Sequence, residues 1–304
     1  MRPVPFALGT LCAALSVLAI IAGMSARGDD PSARDGEPSP EPPPGVGGTA
    51  GPRSDQPSLE AALGAAVAAT RAVPHAHVAL QVTVTGPTGP VTLRHEATFT
   101  DGGRRARAAS DLSQAAAAVE AAGQHLDGDW SRPTGVVVDG DVVYTQLGPL
   151  ADLLGRHPHD WVRARLADVA PSAAQNDALA LALDPLGPLD LLGRPATRVE
   201  EVVGAPGAGI PPGSVRRLHA TLDITGAADG APASFEARLA AAGLGSLPVD
   251  VWLDREGRVR RLQVALDDGA LAVAFDVDRL DTPPEVTPPD PADVVAVTPP
   301  GGPA

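Results

Sequence analysis

The sequence predicts an α+β fold, built on a single curved antiparallel β-sheet with helices packed on its concave face. At least six segments alternate aliphatic with polar or small residues, which is typical of strands with one covered face and one wet face. Ala- and Leu-rich segments with helical periodicity lie among them. Two Pro-rich segments, 27–57 and 282–304, flank this region, and their composition predicts a disordered linker and a disordered tail.

The first 26 residues predict membrane targeting. No charged residue occurs between Val4 and Ala26, and Arg2 precedes this run. The run is long enough to cross a bilayer, and the basic residue in front of it predicts a cytoplasmic N-terminus. We interpret residues 1–26 as either an uncleaved transmembrane signal-anchor or a cleaved signal peptide. The folded domain is then expected at 58–281, on the extracytoplasmic side.

The domain is expected to open with a helix at 58–72, because Ser58 is a suitable N-cap and Leu63 and Val67 lie at helical spacing. Pro74 marks the end of this helix. The strands predicted by alternation then follow in order at 78–85, 91–99, 136–147 with Asp139-Gly140 as a hairpin turn, 214–225, 247–266 as two strands around a turn at 254–257, and 271–277.

One face of this sheet needs a cover. Four segments can supply it: 58–72, 112–122, 176–193 and 232–242. The third is the most apolar, and Pro185 and Pro188 should divide it into two short helices.

Composition argues against several classes of function. The formal net charge is -14 and the pI is about 4.8, so the long-range field repels nucleic acid and anionic surfaces. Aromatic residues make up 3% of the chain, too few for stacking platforms. Cys12 is the single cysteine, which excludes an intramolecular disulfide.

The motifs do not predict catalysis, a cofactor or a metal. His75 with His77 and His157 with His159 form two His-x-His pairs, but each lacks the further ligands that zinc requires. No nucleophile elbow, phosphate-binding loop or dinucleotide fingerprint occurs between a strand and a helix. A hydrolase would need a Ser, a His and a carboxylate brought together by the fold.

Arginines cluster on two neighbouring predicted strands, at Arg216 and Arg217 and at Arg258, Arg260 and Arg261. A solvated sheet face on which they pair with carboxylates explains them. The alternative is contact with an anionic lipid head group, because the guanidinium geometry fits phosphate.

Several segments together resemble the actinobacterial cell-envelope lipoprotein family of LppX, LprA, LprF and LprG. They are SLEAALGAAVAATRAVPHAHVALQVTV, GDVVYTQLGPLADLL leading to DWVRARL, ALDPLGPLDLLGRPATRVEEVVG, SVRRLHATLDIT and LPVDVWLDREGRVRRLQVAL. The resemblance implies a half-barrel of antiparallel strands around helices. It also implies an apolar cavity, which in some members holds acylated lipids or glycolipids.

The N-terminus departs from the family pattern, in which a lipidated Cys follows a small residue. Here Leu11 precedes Cys12, and the apolar run continues to Ala22. We therefore expect a transmembrane anchor with a Pro-rich tether in place of a lipidated Cys12.

Our hypothesis is a membrane-tethered lipid or glycolipid carrier of the cell envelope, without catalysis or cofactor, that holds acyl chains between sheet and helices. The alternative is a non-enzymatic structural or protein-interaction module of the envelope with a closed, packed core. The residues expected to contact lipid are Val82, Val84, Leu179, Leu183, Leu186, Leu189, Leu192, Val249, Val251, Leu262, Val264, Val273 and Phe275.

Overall fold

The structure is a computed structural model of the 304-residue chain. It describes residues 58–86, 89–123, 125, 128–146, 148–151, 157, 160–169, 177–202, 213–225, 244–266, 269–279 and 281–295. The predicted anchor at 1–26, the linker at 27–57, the helix at 232–242 and His159 lie outside these residues.

Within the described residues, twelve strands form one sheet. In chain order they are β1 (Ala76–Gly86), β2 (Gly89–Thr100), β3 (Arg105–Asp111), β4 (Thr134–Asp139), β5 (Val142–Gln146), β6 (Trp161–Arg165), β7 (Ala196–Glu201), β8 (Arg216–Asp223), β9 (Ser246–Leu253), β10 (Val259–Ala265), β11 (Leu271–Arg279) and β12 (Val294–Val295).

The strand order across the sheet is β12-β6-β5-β4-β3-β2-β1-β11-β10-β9-β8-β7. All neighbours are antiparallel except β12 and β6, which are parallel. The end strands β12 and β7 do not pair with each other within the described residues. The sheet is thus open, and the predicted α+β half-barrel is confirmed.

The helices are few and short. Among the described residues the α-helices are α1 (Leu59–Arg71), α2 (Ser113–Ala121), α3 (Leu166–Val169) and α4 (Asp177–Leu183), and the longest 3₁₀ helix is at Gly187–Gly193. The predicted N-cap of α1 is confirmed, since the Ala61 N–H donates to Ser58 Oγ at 3.1 Å. Two short helices occur at 176–193 as predicted. The second is 3₁₀ and carries Pro188 in its first turn, where a missing N–H is tolerated.

We call the face of the sheet that α1 and α4 cover the inner face. It carries the alternate apolar side chains of β1 to β4 and β8 to β11, and these form one buried cluster with Leu63 and Ala66 of α1 and with α4. A second, smaller cluster forms where α2 packs on Leu93 of β2. The outer face carries most of the charged side chains.

The predicted turn between β4 and β5 is shifted by one residue. Asp139 pairs with Val142, so the two turn residues are Gly140 and Asp141. Gly140 has φ 59°, a conformation that glycine adopts without strain.

The segment that follows β11 differs from the predicted disordered tail. Val286 is 7% exposed and packs on Val137 and Trp161 at the outer face. Val294 and Val295 then pair with β6 and add β12 to the sheet. The sequence does not indicate these contacts, because an extended Pro-rich segment can pack a single side chain without any apolar periodicity of its own. Residues 296–304 lie outside the described part of the chain.

Candidate functional site

The structure brings the predicted lipid-contacting residues together at the inner face. The predicted residues on β1, β9, β10 and β11 alternate with outward-facing residues. They are also aligned across strands: Leu262, for example, pairs directly with Val251 and with Phe275. Those of α4 and the 3₁₀ helix pack onto this surface. All belong to the large apolar cluster, in which Val82 and Leu183 are half-buried and the others are buried.

Helix α1 is fastened to the sheet by one buried hydroxyl. Thr70 Oγ1 donates to the Ala66 carbonyl at 2.7 Å and accepts from the Val259 N–H at 2.8 Å. The bond from the Val259 N–H to Thr70 lies at a bulge in β10. Val259 pairs with Leu253, whereas Arg261, two residues further along, pairs with the adjacent Trp252. Thr70 thus satisfies a buried backbone donor and holds the end of the helix on the inner face.

An ion-pair cluster joins α1 to the 3₁₀ helix. Arg71 Nη2 donates to Asp190 Oδ1 at 2.5 Å and to the Leu186 carbonyl at 3.4 Å. Asp184 Oδ1 lies 3.7 Å from Arg71 Nη1. Desolvation by neighbouring atoms raises the pKa of Asp184, against the opposing charge of Arg71, and the nearby Asp190 adds to the rise.

The inner face is incompletely covered at the centre of the sheet. On β1, Ala76, Val78 and Val84 are buried, whereas Leu80 and Val82 are half-buried. Val82 contacts both apolar clusters, so it lies at the boundary between them. We call this region, around Leu80 and Val82, the seam.

A polar pair lies beside the seam, and our sequence analysis missed it. His95 of β2 and Ser110 of β3 are directly paired, and they are 2% and 3% exposed. His95 Nδ1 and Ser110 Oγ are 2.6 Å apart and share a hydrogen bond. The signal was present, because His95 alternates in phase with Leu93, Ala97 and Phe99 of the inner face.

Four arginines of the two clusters pair with carboxylates, as the sequence analysis predicted, and Arg217 and Arg261 do so on the outer face. Arg217 forms a bidentate pair with Asp250, at 3.1 Å and 2.8 Å. Arg261 does the same with Asp276, at 2.6 Å and 2.9 Å. Arg260 also pairs with Asp278, and Arg216 pairs with Glu201 where β8 and β7 meet at the edge of the sheet.

Trp252 also lies on the outer face, where the Arg217 guanidinium carbon is 5.1 Å from its ring centroid. The ring is nearly buried beneath the neighbouring outer-face side chains. It therefore does not line the inner face.

Two open grooves that described residues line also lie away from the inner face. One, of about 780 Å³, lies between the segment around Pro288 and the outer side of β5 and β6 near Tyr144. The other, of about 460 Å³, lies beside the turn between β9 and β10 and includes Ser214 and Arg260.

Within the described part of the chain, no three His, Cys, Asp or Glu side chains come together as metal ligands. His77 approaches Glu96 instead, with Nε2 3.8 Å from Oε2. None of the described helices combines the length and apolar character needed to span a membrane. The predicted anchor at 1–26 is outside the residues to which this finding applies.

No protein-family model matches the chain, and no curated protein matches its sequence. Among solved structures, the chain is similar to the lipoprotein LppX of Mycobacterium tuberculosis, with 13% identity, a TM-score of 0.44 and coverage of 77% of this chain and 100% of that one. It is similar to LprF of Mycobacterium bovis, with 15% identity, a TM-score of 0.44 and coverage of 77% and 98%.

A LolA superfamily protein of Nitrosomonas europaea shows 8% identity, a TM-score of 0.26 and coverage of 75% of this chain and 96% of that one. LppX and LprF are members of the family that the sequence resembles.

Proposed function

We propose that this chain is an extracytoplasmic carrier that binds lipid between the inner face of its half-barrel and the helices that cover it. The observation that carries the proposal is the seam. Half-buried Leu80 and Val82 lie in the middle of the inner-facing residues of β1, all of which are apolar from Ala76 to Val84. Solvent-accessible aliphatic surface at this position is where an acyl chain would enter.

The helices that cover the inner face contact it partly through small side chains, so lipid could displace them from the sheet. The buried residues of α2 are Ala115 and Ala116, and α4 contributes Ala178 and Ala182 beside its leucines. Alanine buries little apolar area, so each such contact adds little to the free energy that holds the helices down. Acyl methylenes would replace these contacts at about 0.8 kcal/mol each.

The location of the protein is part of the proposal. Residues 1–26 would insert in the membrane and residues 27–57 would act as a flexible tether. The half-barrel would then be held near the outer surface of the membrane. We propose no catalytic step, and lipid is expected to leave the protein chemically unchanged.

A second candidate is a packed interaction module. It is favoured by the complete burial of Leu189 and Leu218 in the apolar cluster of the inner face, which is tight packing away from the seam. In that case the outer face, with its groove near Tyr144, would carry the binding surface for a protein partner.

A matched pair of tryptophan substitutions separates the two candidates. Leu80→Trp fills the seam, whereas Gln81→Trp places the same side chain on the exposed outer face of the same strand. The full chain and both variants are purified in mild detergent from a high-GC Gram-positive host, and lipid is extracted and quantified per mole of protein. Lipids bound around residues 1–26 are common to all three and cancel.

We expect wild type and Gln81→Trp to carry the same intact lipid in stoichiometric amount, and Leu80→Trp to lose it. Circular dichroism checks that both variants fold. Equal lipid content in all three folded proteins would overturn lipid binding at the seam and favour the interaction module. Recovery of hydrolysed lipid from wild type would contradict the absence of catalysis.

A further inference from the structure

Exposed aliphatic side chains lie at the end of the sheet where β7 ends and β8 begins. Within the described part of the chain, the large hydrophobic side chains that are exposed are Val202 at 37% and Val215 at 51%. The Val202 N–H donates to the Arg217 carbonyl at 2.9 Å, and the Val215 N–H donates to the Leu253 carbonyl at 2.8 Å. Both valines are thus hydrogen-bonded to the sheet at one end. We call Val202, Val215 and the neighbouring turn at 254–257 the rim.

The groove of about 460 Å³ opens at the rim. Residues 213–215 form one side of it, residues 254–256 form the other, and Arg260 also lines it. Arg260 lies at the bulge of β10, where the regular alternation of the strand is interrupted. The groove therefore brings polar side chains next to the exposed Val215.

Hydrogen-bond donors in this region lack acceptors. Among the described residues, the buried side-chain polar atoms without a hydrogen-bond partner are Ser214 Oγ, Arg260 Nε and Trp252 Nε1. Ser214 and Arg260 line the groove, and Trp252 pairs with Arg261, the residue after Arg260. The N–H groups of Arg and Trp can only donate, and a hydroxyl can donate as well. A ligand that satisfies these groups must therefore bring acceptor atoms.

The charges of the turn at 254–257 favour an anion as that ligand. Arg255 lines the groove and is exposed, and no described side chain forms an ion pair with it. Asp254 Oδ1 accepts from the backbone N–H groups of Glu256 and Arg258, at 2.9 Å and 2.8 Å, so this oxygen is engaged in the turn. The Glu256 side chain is exposed, and it opposes an anion at the same place.

We infer that the rim docks on the phospholipid membrane, with headgroup phosphates at Ser214, Arg255 and Arg260 and with Val202 and Val215 in the interfacial layer. A phospholipid surface offers both kinds of partner that the rim lacks. Phosphate oxygens accept hydrogen bonds and fit the guanidinium group, and the boundary between headgroups and acyl chains takes up aliphatic side chains. This inference rests on the proposed membrane tether, and it adds a contact between the carrier and the membrane.

The net charge of the chain does not prevent this contact. A formal charge of -14 repels an anionic surface at long range. At physiological ionic strength, however, that field is screened beyond about 8 Å, and the tether at 27–57 keeps the domain at a high effective concentration near the membrane. Long-range attraction is then unnecessary, and the local contacts of the rim decide whether it docks.

Docking at the rim gives the half-barrel one orientation. Helix α1 is fastened at this same end of the sheet, where Thr70 accepts from the Val259 N–H at the start of β10. Strand β10 runs from Val259 to Ala265, and at about 3.3 Å per residue its two ends lie about 20 Å apart. The rim would face the membrane, and Ala265 would lie far from it.

The test measures how close the two ends of the sheet come to the membrane in the full chain. Cys12, the single cysteine, is replaced by Ser, and a fluorophore is attached at Val215→Cys or at Ala265→Cys, which are both exposed positions. Each protein is reconstituted into vesicles of phosphatidylcholine and phosphatidylglycerol in which a minority of lipids carry a nitroxide high on the acyl chain. The nitroxide quenches a fluorophore that lies at the membrane.

The fluorophore should be quenched strongly at Val215→Cys and weakly at Ala265→Cys. Equal quenching at the two positions would overturn docking at the rim and leave the proposed function intact. A full chain that does not float with the vesicles would overturn the proposed tether and this inference together.

Charge substitutions in the Val215→Cys background test the phosphate contact. Arg255→Gln should lower the ratio of docked to undocked protein about fivefold, as expected for the loss of one arginine near an anionic surface. The matched control is Arg94→Gln, an exposed residue of β2 that pairs with Asp111 at the end of β3, and it should leave the ratio unchanged. Equal effects of both substitutions would overturn the phosphate contact.

A substitution at the next residue should act in the opposite direction. Glu256→Gln removes a carboxylate beside the groove and should raise the ratio of docked to undocked protein, because the carboxylate repels phosphate. Opposite effects of Arg255→Gln and Glu256→Gln would not arise from a general loss of structure in the turn. An unchanged or lower ratio in Glu256→Gln would overturn the placement of phosphate in this groove.

Discussion

Arg71 at the end of α1 donates a 2.5 Å hydrogen bond to Asp190 of the 3₁₀ helix. The two residues belong to different elements of the cover, and both elements lie on the same apolar surface of the sheet. Their contact therefore ties one part of the cover to another. If lipid enters beneath these elements, the strength of this contact bears on how easily they separate.

Replacement of Arg71 by Gln should weaken the link between α1 and the 3₁₀ helix. The side chains of Arg71 and Asp190 are 36% and 59% exposed, and exposed pairs contribute less than about 1 kcal/mol. We expect a small loss in the free energy of urea unfolding, together with faster hydrogen exchange in 59–71 and 187–193. The control is Arg198→Gln at the edge strand, where Arg198 pairs with Glu200. Equal exchange changes in both variants would contradict the link.

The raised pKa of Asp184 predicts a specific pH dependence. An acid whose folded pKa lies above its ordinary value of 3.8 binds its proton more tightly in the folded state. Its contribution to stability is therefore greatest below that value and falls as the pH rises through the folded pKa. The side chain is 53% exposed, so solvent screening keeps the effect small.

Asp184→Asn should lack this decline. Urea unfolding of wild type and Asp184→Asn from about pH 3 to about pH 6 measures this effect. As the pH rises, the unfolding free energy of the variant should increase relative to that of wild type. A difference that is constant with pH, or that shifts in favour of wild type, would show that the pKa is not raised.

Thr70→Val should destabilise the protein by about 1–3 kcal/mol. The change preserves side-chain shape but leaves the buried Val259 N–H without its acceptor. The conservative variant Thr70→Ser keeps the hydroxyl and should recover most of the loss. Urea unfolding measures both, and equal stability of the Val variant and wild type would mean that this hydrogen bond does not fasten α1 to β10.

Val286→Ser should detach the C-terminal segment from the outer face. Val286 packs with Val137 and Trp161, and loss of this contact should expose the Trp161 ring. Iodide quenching of tryptophan fluorescence should therefore increase, because Trp130 and Trp252 stay buried elsewhere. Glu285→Ser changes the exposed neighbour and should leave quenching unchanged. Equal quenching in both variants would place Val286 outside the packing of Trp161.

Alternation along the strands was enough to predict which side chains share the inner face. Val249, Val251 and Leu262 lie in adjacent strands joined by a short turn, so their common face follows from local pattern and turn length. The same phase would have assigned His95 to the inner face, but a histidine among aliphatic residues was not recognised as part of the pattern.

Other features depend on pairing between distant parts of the chain. The neighbours of β1 are β2, next to it in sequence, and β11, which lies far along the chain. Only this pairing aligns Phe275 with Leu80 and hence with His95. Likewise, the packing of Val286 on Trp161 joins a Pro-rich segment, without periodicity of its own, to a strand that precedes it by a long stretch of sequence.

The sequence by itself determined the class of fold, the apolar inner face and three of the segments that cover it, because side-chain direction in helices and strands follows from a local repeat. The tertiary structure decided the register across strands, the position of the seam, the polar pair beside it and the docking of the C-terminal segment. These depend on the free energy of contacts between residues far apart in the chain, which no local repeat encodes.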